Sequence, residues 1–460
     1  MSDIPEENKK KRADYTEGSI IGSIMKMGLP SMFGFLIHHL YGIVDIYWVS
    51  NLPDREGSVA AITFVGNILW VMFSFNQLIG PGSVAIISRR YGEKQYDHVE
   101  KAIKETLILK LVLGAIFGII GFLLVEDMTY LIGARDETLA LGVQYGRIIF
   151  LGLPVMYATY SIFTAMRGVA NPNMAFILML VSNLLNMALD PLLIFGYLGF
   201  PKLGIAGAAY ASVISYTLTF TVGVALFYTN VTNVRLHLRG RKRISLDTMM
   251  KIVKIGIPAW LGDISFSGAR LVIMRIVAPF GTAVVAAYGV SNQITGFGIM
   301  VLVGIGLGLS SLIGHNIGAE KHKRAKKTAD QAVLLGIGIM TLIGLITWLG
   351  SRLIMGVFFD SPDTIGIGST ILSIFAVGFP FIGAFLMMEM IHQGVGLNTP
   401  TMIFNIIYSW VLEVIPILLF TTYFNWSITA IWWTISLAGA VTSFAFYVYY
   451  QRGRWLTHKV

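Results

Sequence analysis

The chain has 460 residues, of which 55% are hydrophobic and only 13% charged, and its mean hydropathy is +0.70. Soluble domains carry roughly 25% charged residues, so this balance excludes a soluble globular protein. The absence of cysteine excludes disulfides and thiolate metal sites. The net charge of +9 resides in short loops between apolar runs, a topology signal and not a nucleic-acid surface.

The polar start MSDIPEENKKKRADYTEG precedes an apolar segment too long for the core of a cleavable signal, and none is expected. Twelve apolar segments follow, each of ~20 residues or more and so able to cross a bilayer as a helix. They lie at 20–50, 58–88, 104–125, 138–165, 172–195, 203–229, 250–278, 282–312, 329–356, 366–393, 399–424 and 426–450. Lys9, Lys10, Lys11 and Arg12 lie in the N-terminal tail, and Arg89, Arg90, Lys94 and Lys101 lie in a loop after an even-numbered segment. Arg235, Arg239, Arg241, Lys242 and Arg243 continue the series, as do Lys321, Lys323, Arg324, Lys326 and Lys327, and the tail adds Arg452, Arg454 and Lys459. The opposite loops hold only Arg55, Arg135 and Lys202, beside Asp54, Glu56, Glu126 and Asp127. This asymmetry predicts a cell-membrane protein with both termini in the cytoplasm.

An internal repeat sets the architecture. MGLPSMFGFL around Pro30 returns as IGIPAWLGDI around Pro258, VAA at Val59 returns at Val285, and RRYGEKQYDHVEKA around Gly92 returns as HNIGAEKHKRAKKTA around Gly318. GLP ending at Pro154 returns as GFP ending at Pro380, RGVANP around Gly168 as QGVGLNTP around Gly394, and DPLLIF at Asp190 as IPILLF at Ile415. A near-constant offset through six helices predicts parallel repeats about an axis along the membrane normal. The fold expected is an all-α polytopic membrane protein, its twelve transmembrane helices in two pseudo-symmetric six-helix bundles. Residues 1–19 form an N-terminal tail, 20–229 the first lobe, 230–249 a basic linker, 250–450 the second lobe, and 451–460 a C-terminal tail.

Two carboxylates sit where the bilayer core is expected. An ionisable group inside a spanning helix costs ~3 kcal/mol or more, which makes Asp45 and Asp190 functional candidates. The repeat places Ile273 and Ile415 at the equivalent positions, so the second half keeps the scaffold and drops both acids. His38, Tyr41 and Asp45 share one face of helix 1, and Asn183, Asn186 and Asp190 repeat that spacing on helix 5. Facing one another, they would make a small oxygen-rich cavity for a proton or Na⁺, the latter at Asp45, Asn186 and Asp190. Pro30, fifteen residues before Asp45, removes a backbone hydrogen bond and makes either a static kink or a hinge. His38 is either a proton relay or a hydrogen-bonded core histidine.

The paired repeats, the P-x14-D of Pro30 and Asp45, the N-x3-D-P of Asn186, Asp190 and Pro191, and GIAGAAYAS at 204–212 together resemble the multidrug and toxic compound extrusion (MATE) family, in its DinF-like prokaryotic branch. The resemblance covers essentially the whole chain. It implies a cation-coupled antiporter in which the aspartates of helices 1 and 5, the asparagine one turn earlier and a helix-6 hydroxyl form the coupling site. Here that hydroxyl is Ser212, where a threonine is common. It also favours bending at Pro30.

Asn67, Asn76, Gln77, Asn292 and Gln293 on helices 2 and 8 are expected to line the cleft between lobes. Asp263, Arg270, Arg275, Glu389 and Glu413 form either a buried network of opposite charges or, for Asp263, Arg270 and Glu389, part of a substrate chamber. The 21 methionines and the aromatics suit an adaptable apolar chamber. The function expected is export of lipophilic, cationic compounds by a monomer, driven by H⁺ or Na⁺, with no cofactor and no enzymatic activity. A lipid-linked glycan flippase is the alternative, and it calls for a strongly basic central cavity. A membrane enzyme would need HExxH, GxSxG or a reactive cysteine, none of which is present, and no GxxxxGK[ST] loop suggests ATP. A channel pore fits poorly with acids confined to one half.

Overall fold

The computed structural model describes residues 14–229, 231–237, 243–424 and 427–459. The basic residues Lys9, Lys10, Lys11, Arg12, Arg239, Arg241 and Lys242, and with them most of the N-terminal tail and part of the linker, lie outside the described residues. Twelve long helices make up the chain, with no strand among the described residues. They are α1 (Ile20–Val49), α2 (Arg55–Gly92), α3 (Tyr96–Leu131), α4 (Asp136–Gly168), α5 (Pro172–Phe195) and α6 (Ile205–Tyr228). The second set is α7 (Leu246–Val277), α8 (Thr282–Gly318), α9 (His322–Phe358), α10 (Pro362–Val395), α11 (Asn398–Thr421) and α12 (Thr429–Gln451). Eleven are long and apolar enough to cross a membrane. The remaining one, α7, carries Asp263, Arg270 and Arg275 among its apolar residues.

The helices outrun the apolar segments because their ends leave the hydrocarbon. α3 begins at Tyr96, two turns before its apolar stretch, and α9 begins at His322. Helix starts follow local chemistry. Ser19 accepts from the Gly22 N–H at 3.2 Å and Asp54 from the Gly57 N–H at 3.0 Å, each satisfying a donor that has no partner within its helix.

The two halves repeat down to single backbone torsions. Lys94 (φ 60°) and Glu320 (φ 57°) occupy the left-handed region 226 residues apart, in the turns after α2 and α8. Ala170 (φ 60°) and Gly396 (φ 76°) do the same after α4 and α10. A left-handed non-glycine residue is uncommon, so its recurrence at the repeat interval reflects one turn used twice. Interior prolines also recur: Pro30 in α1 with Pro258 in α7, and Pro154 in α4 with Pro380 in α10.

The halves meet through glycines at the end of the bundle that carries both termini. A Cβ on Gly82 of α2 would strike the Ile252 carbonyl of α7, and one on Gly308 of α8 would strike the Met27 carbonyl of α1. Gly92 faces the His315 carbonyl, while Gly318 faces that of Arg89. This last pair of contacts is a pseudo-twofold exchange, since 92 and 318, and 89 and 315, are each 226 apart. Small residues are what let membrane helices approach so closely. Side chains reinforce the seam: His315 Nε2 bonds the Gly168 carbonyl at 2.7 Å. The terminal segments cross it as well. Arg89 Nη1 donates to the His458 carbonyl at 2.8 Å, and Arg324 Nη1 donates to that of Gly18 at 2.9 Å.

Gly82→Val or Gly308→Val forces a side chain against a carbonyl and is expected to cost this closed seam ~1–3 kcal/mol. Spin labels at Gln95→Cys and His322→Cys should then move apart in each variant. An unchanged distance would show that the seam yields without separating.

Candidate ion site and second-half polar network

Helices α1, α4, α5 and α6 converge on the two acids. Asp190 of α5 is fully buried and Asp45 of α1 is 6% exposed, and they lie within electrostatic reach of one another. Ser212 of α6 is the hub of the neutral groups. Its hydroxyl lies 3.0 Å from Tyr41 Oη. With the amide set so that both its ends are satisfied, Asn186 donates to Asp190 Oδ2 at 3.1 Å and accepts from the Ser212 hydroxyl at 3.2 Å and the Ser212 N–H at 3.0 Å. Asn183 meets His38 Nδ1 at 3.4 Å, and the other nitrogen of His38 meets Tyr160 Oη of α4 at 3.3 Å. Every first-half residue named for ion coupling from the sequence is therefore drawn onto one cluster of helices. His38 is hydrogen-bonded on both ring nitrogens, whereas its neighbour His39 is exposed.

Each acid keeps one oxygen unsatisfied. Asp45 Oδ1 and Asp190 Oδ1 are buried without any hydrogen-bond partner. Buried polar atoms are normally satisfied, and an unpartnered carboxylate oxygen in a dry setting disfavours the bare charge. A proton or a small cation at this place would supply the missing interaction. Tyr145 of α4, buried and within reach of both acids, belongs to the same cluster and was not singled out from the sequence. Its helix is a third one, and no spacing rule connects it to α1 or α5.

Pro30 lies inside α1, which runs on through it from Ile20 to Val49. Asn67 of α2 and Gln293 of α8, 226 residues apart, are both exposed, and Asn292 is half-buried. Asn76 and Gln77 sit where α2 breaks: the α-helix ends at Ser74, tightens into a 3₁₀ turn over Phe75–Leu78, and restarts at Gly80. Gln77 Nε2 donates to Asp263 Oδ2 of α7 at 2.9 Å, a bond between the halves. Lys110 of α3 is only 2% exposed and donates to the Asn76 carbonyl at 2.7 Å. It too was passed over in the sequence, although the rule that singled out Asp45 applies equally to a lysine in the middle of an apolar segment.

In the second half, Arg270 Nη1 pairs with Glu413 Oε1 at 3.5 Å, and Tyr408 Oη bridges them at 3.3 Å from Arg270 Nη2 and 3.2 Å from Glu413 Oε1. Phe266 lies under the guanidinium, 4.8 Å from ring centroid to carbon. Tyr408 and Glu413 both lie in a π-helical stretch of α11, Ile407–Val414, which widens the helix toward α7. Asp263 stands apart from this network on Gln77, with half-buried Glu389 within electrostatic reach, and Arg275 is exposed. A cavity of about 980 Å³ at the terminus-bearing end, lined by Arg89, Glu93, His315 and Lys321, includes neither acid.

Two like bundles of membrane helices, with a pair of acids buried close together in the first, are the build of a multi-pass membrane transporter and not of an enzyme. The family model described as MatE matches residues 30–192 and again 258–419, one copy per half. The chain belongs to the MatE family. It is 27% identical over 447 residues to the multidrug export protein MepA of Staphylococcus aureus (strain MSSA476), covering 95% of each chain. It is 28% identical over 400 residues to the probable multidrug resistance protein YoeA of Bacillus subtilis (strain 168), covering 86% of each. Among solved structures, a MOP superfamily transporter from Pyrococcus furiosus Vc1 (DSM3638) aligns with a TM-score of 0.87 at 22% identity, over 98% of this chain and 99% of that one. A MATE transporter in a bent conformation aligns with a TM-score of 0.87 at 24% identity, over 97% and 99%.

A double-mutant cycle of Tyr41→Phe and Ser212→Ala should return a coupling of ~0.6 kcal/mol, typical of hydrogen bonds between membrane helices. Unfolding in mixed micelles measures it, and a zero coupling would mean that the contact contributes nothing. Arg270→Met alone should destabilise by ~3 kcal/mol or more, since it strands Glu413, whereas Arg270→Met with Glu413→Leu should recover most of that loss.

Proposed function

We propose that the protein is a multidrug exporter of lipophilic, cationic compounds, driven by entry of H⁺ or Na⁺ through the Asp45–Asp190 site. The observation that carries this reading is the pair of orphaned carboxylate oxygens in a ring of hydroxyls and amides. Occupancy by a cation relieves the repulsion between the acids and fills the missing contact, so the occupied and empty sites favour different helix arrangements. Asn183, Asn186, Tyr41 and Ser212 supply neutral oxygens that serve either ion. His38 links the site to Tyr160, and Pro30 is the hinge through which α1 responds. Relatives that are multidrug exporters by name, and related transporters recorded in both bent and straight conformations, support the reading.

The substrate passes between the lobes, 20–229 and 250–450, in a chamber walled by Asn67, Asn76, Gln77, Asn292, Gln293, Asp263 and Glu389. Arg270 borders it with its charge already engaged by Glu413. The concentration of lysine and arginine in the loops at the terminus-bearing end supports a cytoplasmic side there, with the protein acting as a monomer in the cell membrane. A glycan flippase would need free basic groups in the cleft. Lys110 and Arg270 are instead committed to a backbone carbonyl and a carboxylate.

The decisive assay is efflux of a fluorescent organic cation from proteoliposomes under an imposed pH or Na⁺ gradient. Asp45→Asn and Asp190→Asn should each lower gradient-driven export by about tenfold or more, equivalent to ~1.4 kcal/mol of lost drive. The gradient that works in the wild type names the ion. Export by Asp45→Asn at the wild-type rate would remove that acid from the mechanism.

A further inference from the structure

The break in α2 and the lysine that holds it are absent from the other half. α8, the repeat of α2, is helical without interruption from Thr282 to Gly318. Gly336 of α9 stands 226 residues after Lys110 and so replaces it in the repeat. Lys110 thus joins Asp45 and Asp190 as a buried charge of the first half that the repeat replaces with an uncharged residue. The fold itself is built without a break or a lysine at this place, as the second half demonstrates.

The local chemistry explains how the break persists. A 3₁₀ turn in mid-helix trades i→i+4 bonds for i→i+3 bonds of poorer geometry: the Phe75 N–H reaches the Met72 carbonyl and the Ile79 N–H reaches that of Asn76 at 3.3 Å. Two side chains from neighbouring helices give the same carbonyls a second donor. Tyr157 of α4 donates its hydroxyl to the Met72 carbonyl, and Lys110 of α3 donates its ammonium to that of Asn76. The ammonium also lies 5.9 Å from the centroid of the Tyr157 ring. Among the described residues no carboxylate forms an ion pair with Lys110, so its partners are this carbonyl, the end of a helix dipole and an aromatic face.

The break connects two places that transport must link. On one side, Tyr160 lies one turn beyond Tyr157 on α4 and bonds His38, which bonds Asn183 in the ion cluster. Phe73 touches both tyrosines, with ring centroids 5.4 Å and 5.8 Å away. On the other side, Gln77 within the break bonds Asp263 of the second half, Phe75 packs on Trp260 of α7 at 5.1 Å, and the Leu78 carbonyl faces Gly256. We propose that Lys110 is a positioning residue which, with Tyr157, holds the α2 break as the element that transmits occupancy of the Asp45–Asp190 site to the contact between the halves.

This inference rests on the ion-coupled reading above, and contact continuity alone does not establish coupling. The test therefore measures response to the ion, not stability. The chain has no cysteine, so labels can be placed freely. Leu198→Cys and Asp360→Cys lie in exposed loops of the first and second half, at the end away from the termini. Their spin-label distance is recorded in nanodiscs with and without Na⁺, and at alkaline and mildly acidic pH, for wild type, Asp45→Asn, Lys110→Met and Lys110→Arg. The wild-type distribution should shift with the ion, and Asp45→Asn should abolish the shift. Lys110→Met should also lose it, while Lys110→Arg, which keeps the charge and a donor, should retain at least part.

A Lys110→Met protein that shifts like wild type overturns the role of Lys110 and leaves the ion site standing. A wild type that responds to neither ion overturns the ion-coupled reading itself and this inference with it. Should Lys110→Met fail to fold, Gln77→Ala replaces it. That variant cuts the outgoing contact and must likewise blunt the shift, and a full shift there overturns the proposal.

Discussion

A polar group in hydrocarbon has no water to fall back on, and this one constraint organises the molecule. It fixes the helices, since only a helix satisfies its own backbone across a bilayer. It also dictates what happens wherever a helix departs from regularity. The break in α2 brings in Lys110 and Tyr157. The π-helical stretch of α11 brings Tyr408 and Glu413 onto Arg270. Asp45 and Asp190 each keep one buried oxygen without a partner, and because the two acids lie within electrostatic reach of one another the deficiency falls at a single place.

Duplication gives the molecule an internal control. Each half carries the same interior prolines and the same left-handed turns, so those features belong to the scaffold. What only one half carries is not required to build it. By that reasoning the two aspartates and Lys110 belong to the first half's task, and Arg270, Glu413 and the widened α11 to the second half's. Burial alone does not show which charges the scaffold can do without, since Asp190 and Glu413 are both fully buried and neither has a charged counterpart in the other half.

The features legible in the sequence were those that repeat or that violate hydropathy. Helix number, the two-bundle architecture and the cluster of Asp45, Asn186 and Asp190 all follow from periodicity and from charge where none is expected. Ser212 was reached through resemblance, and the structure places it at the centre of the cluster. Tyr145 was not legible, because its nearness to the acids depends on how α4 leans on α1 and α5. The break in α2 was passed over although it left a mark: Asn76 and Gln77 interrupt the apolar run, and Gly80, Pro81 and Gly82 follow where the helix restarts. Lys110 was legible in principle, yet its context of leucines and isoleucines read as an ordinary span.

The glycine seam and the buried charges solve opposite halves of one problem. A seam of backbone on backbone, as at Gly92 with His315 and Gly318 with Arg89, has few long side chains to interlock. Membrane lipid is as apolar as the helix faces it would cover, so parting such a seam forfeits packing and a few hydrogen bonds but no hydrophobic burial. The closed arrangement is therefore held by terms of a few kcal/mol. A change of charge at a dry carboxylate pair is of that order or larger. Energies matched in this way are what the proposed coupling requires, if occupancy of a small ion site is to decide between arrangements of whole bundles. A seam of interlocked leucines and aromatics, or an ion site open to water, would upset the match from one side or the other.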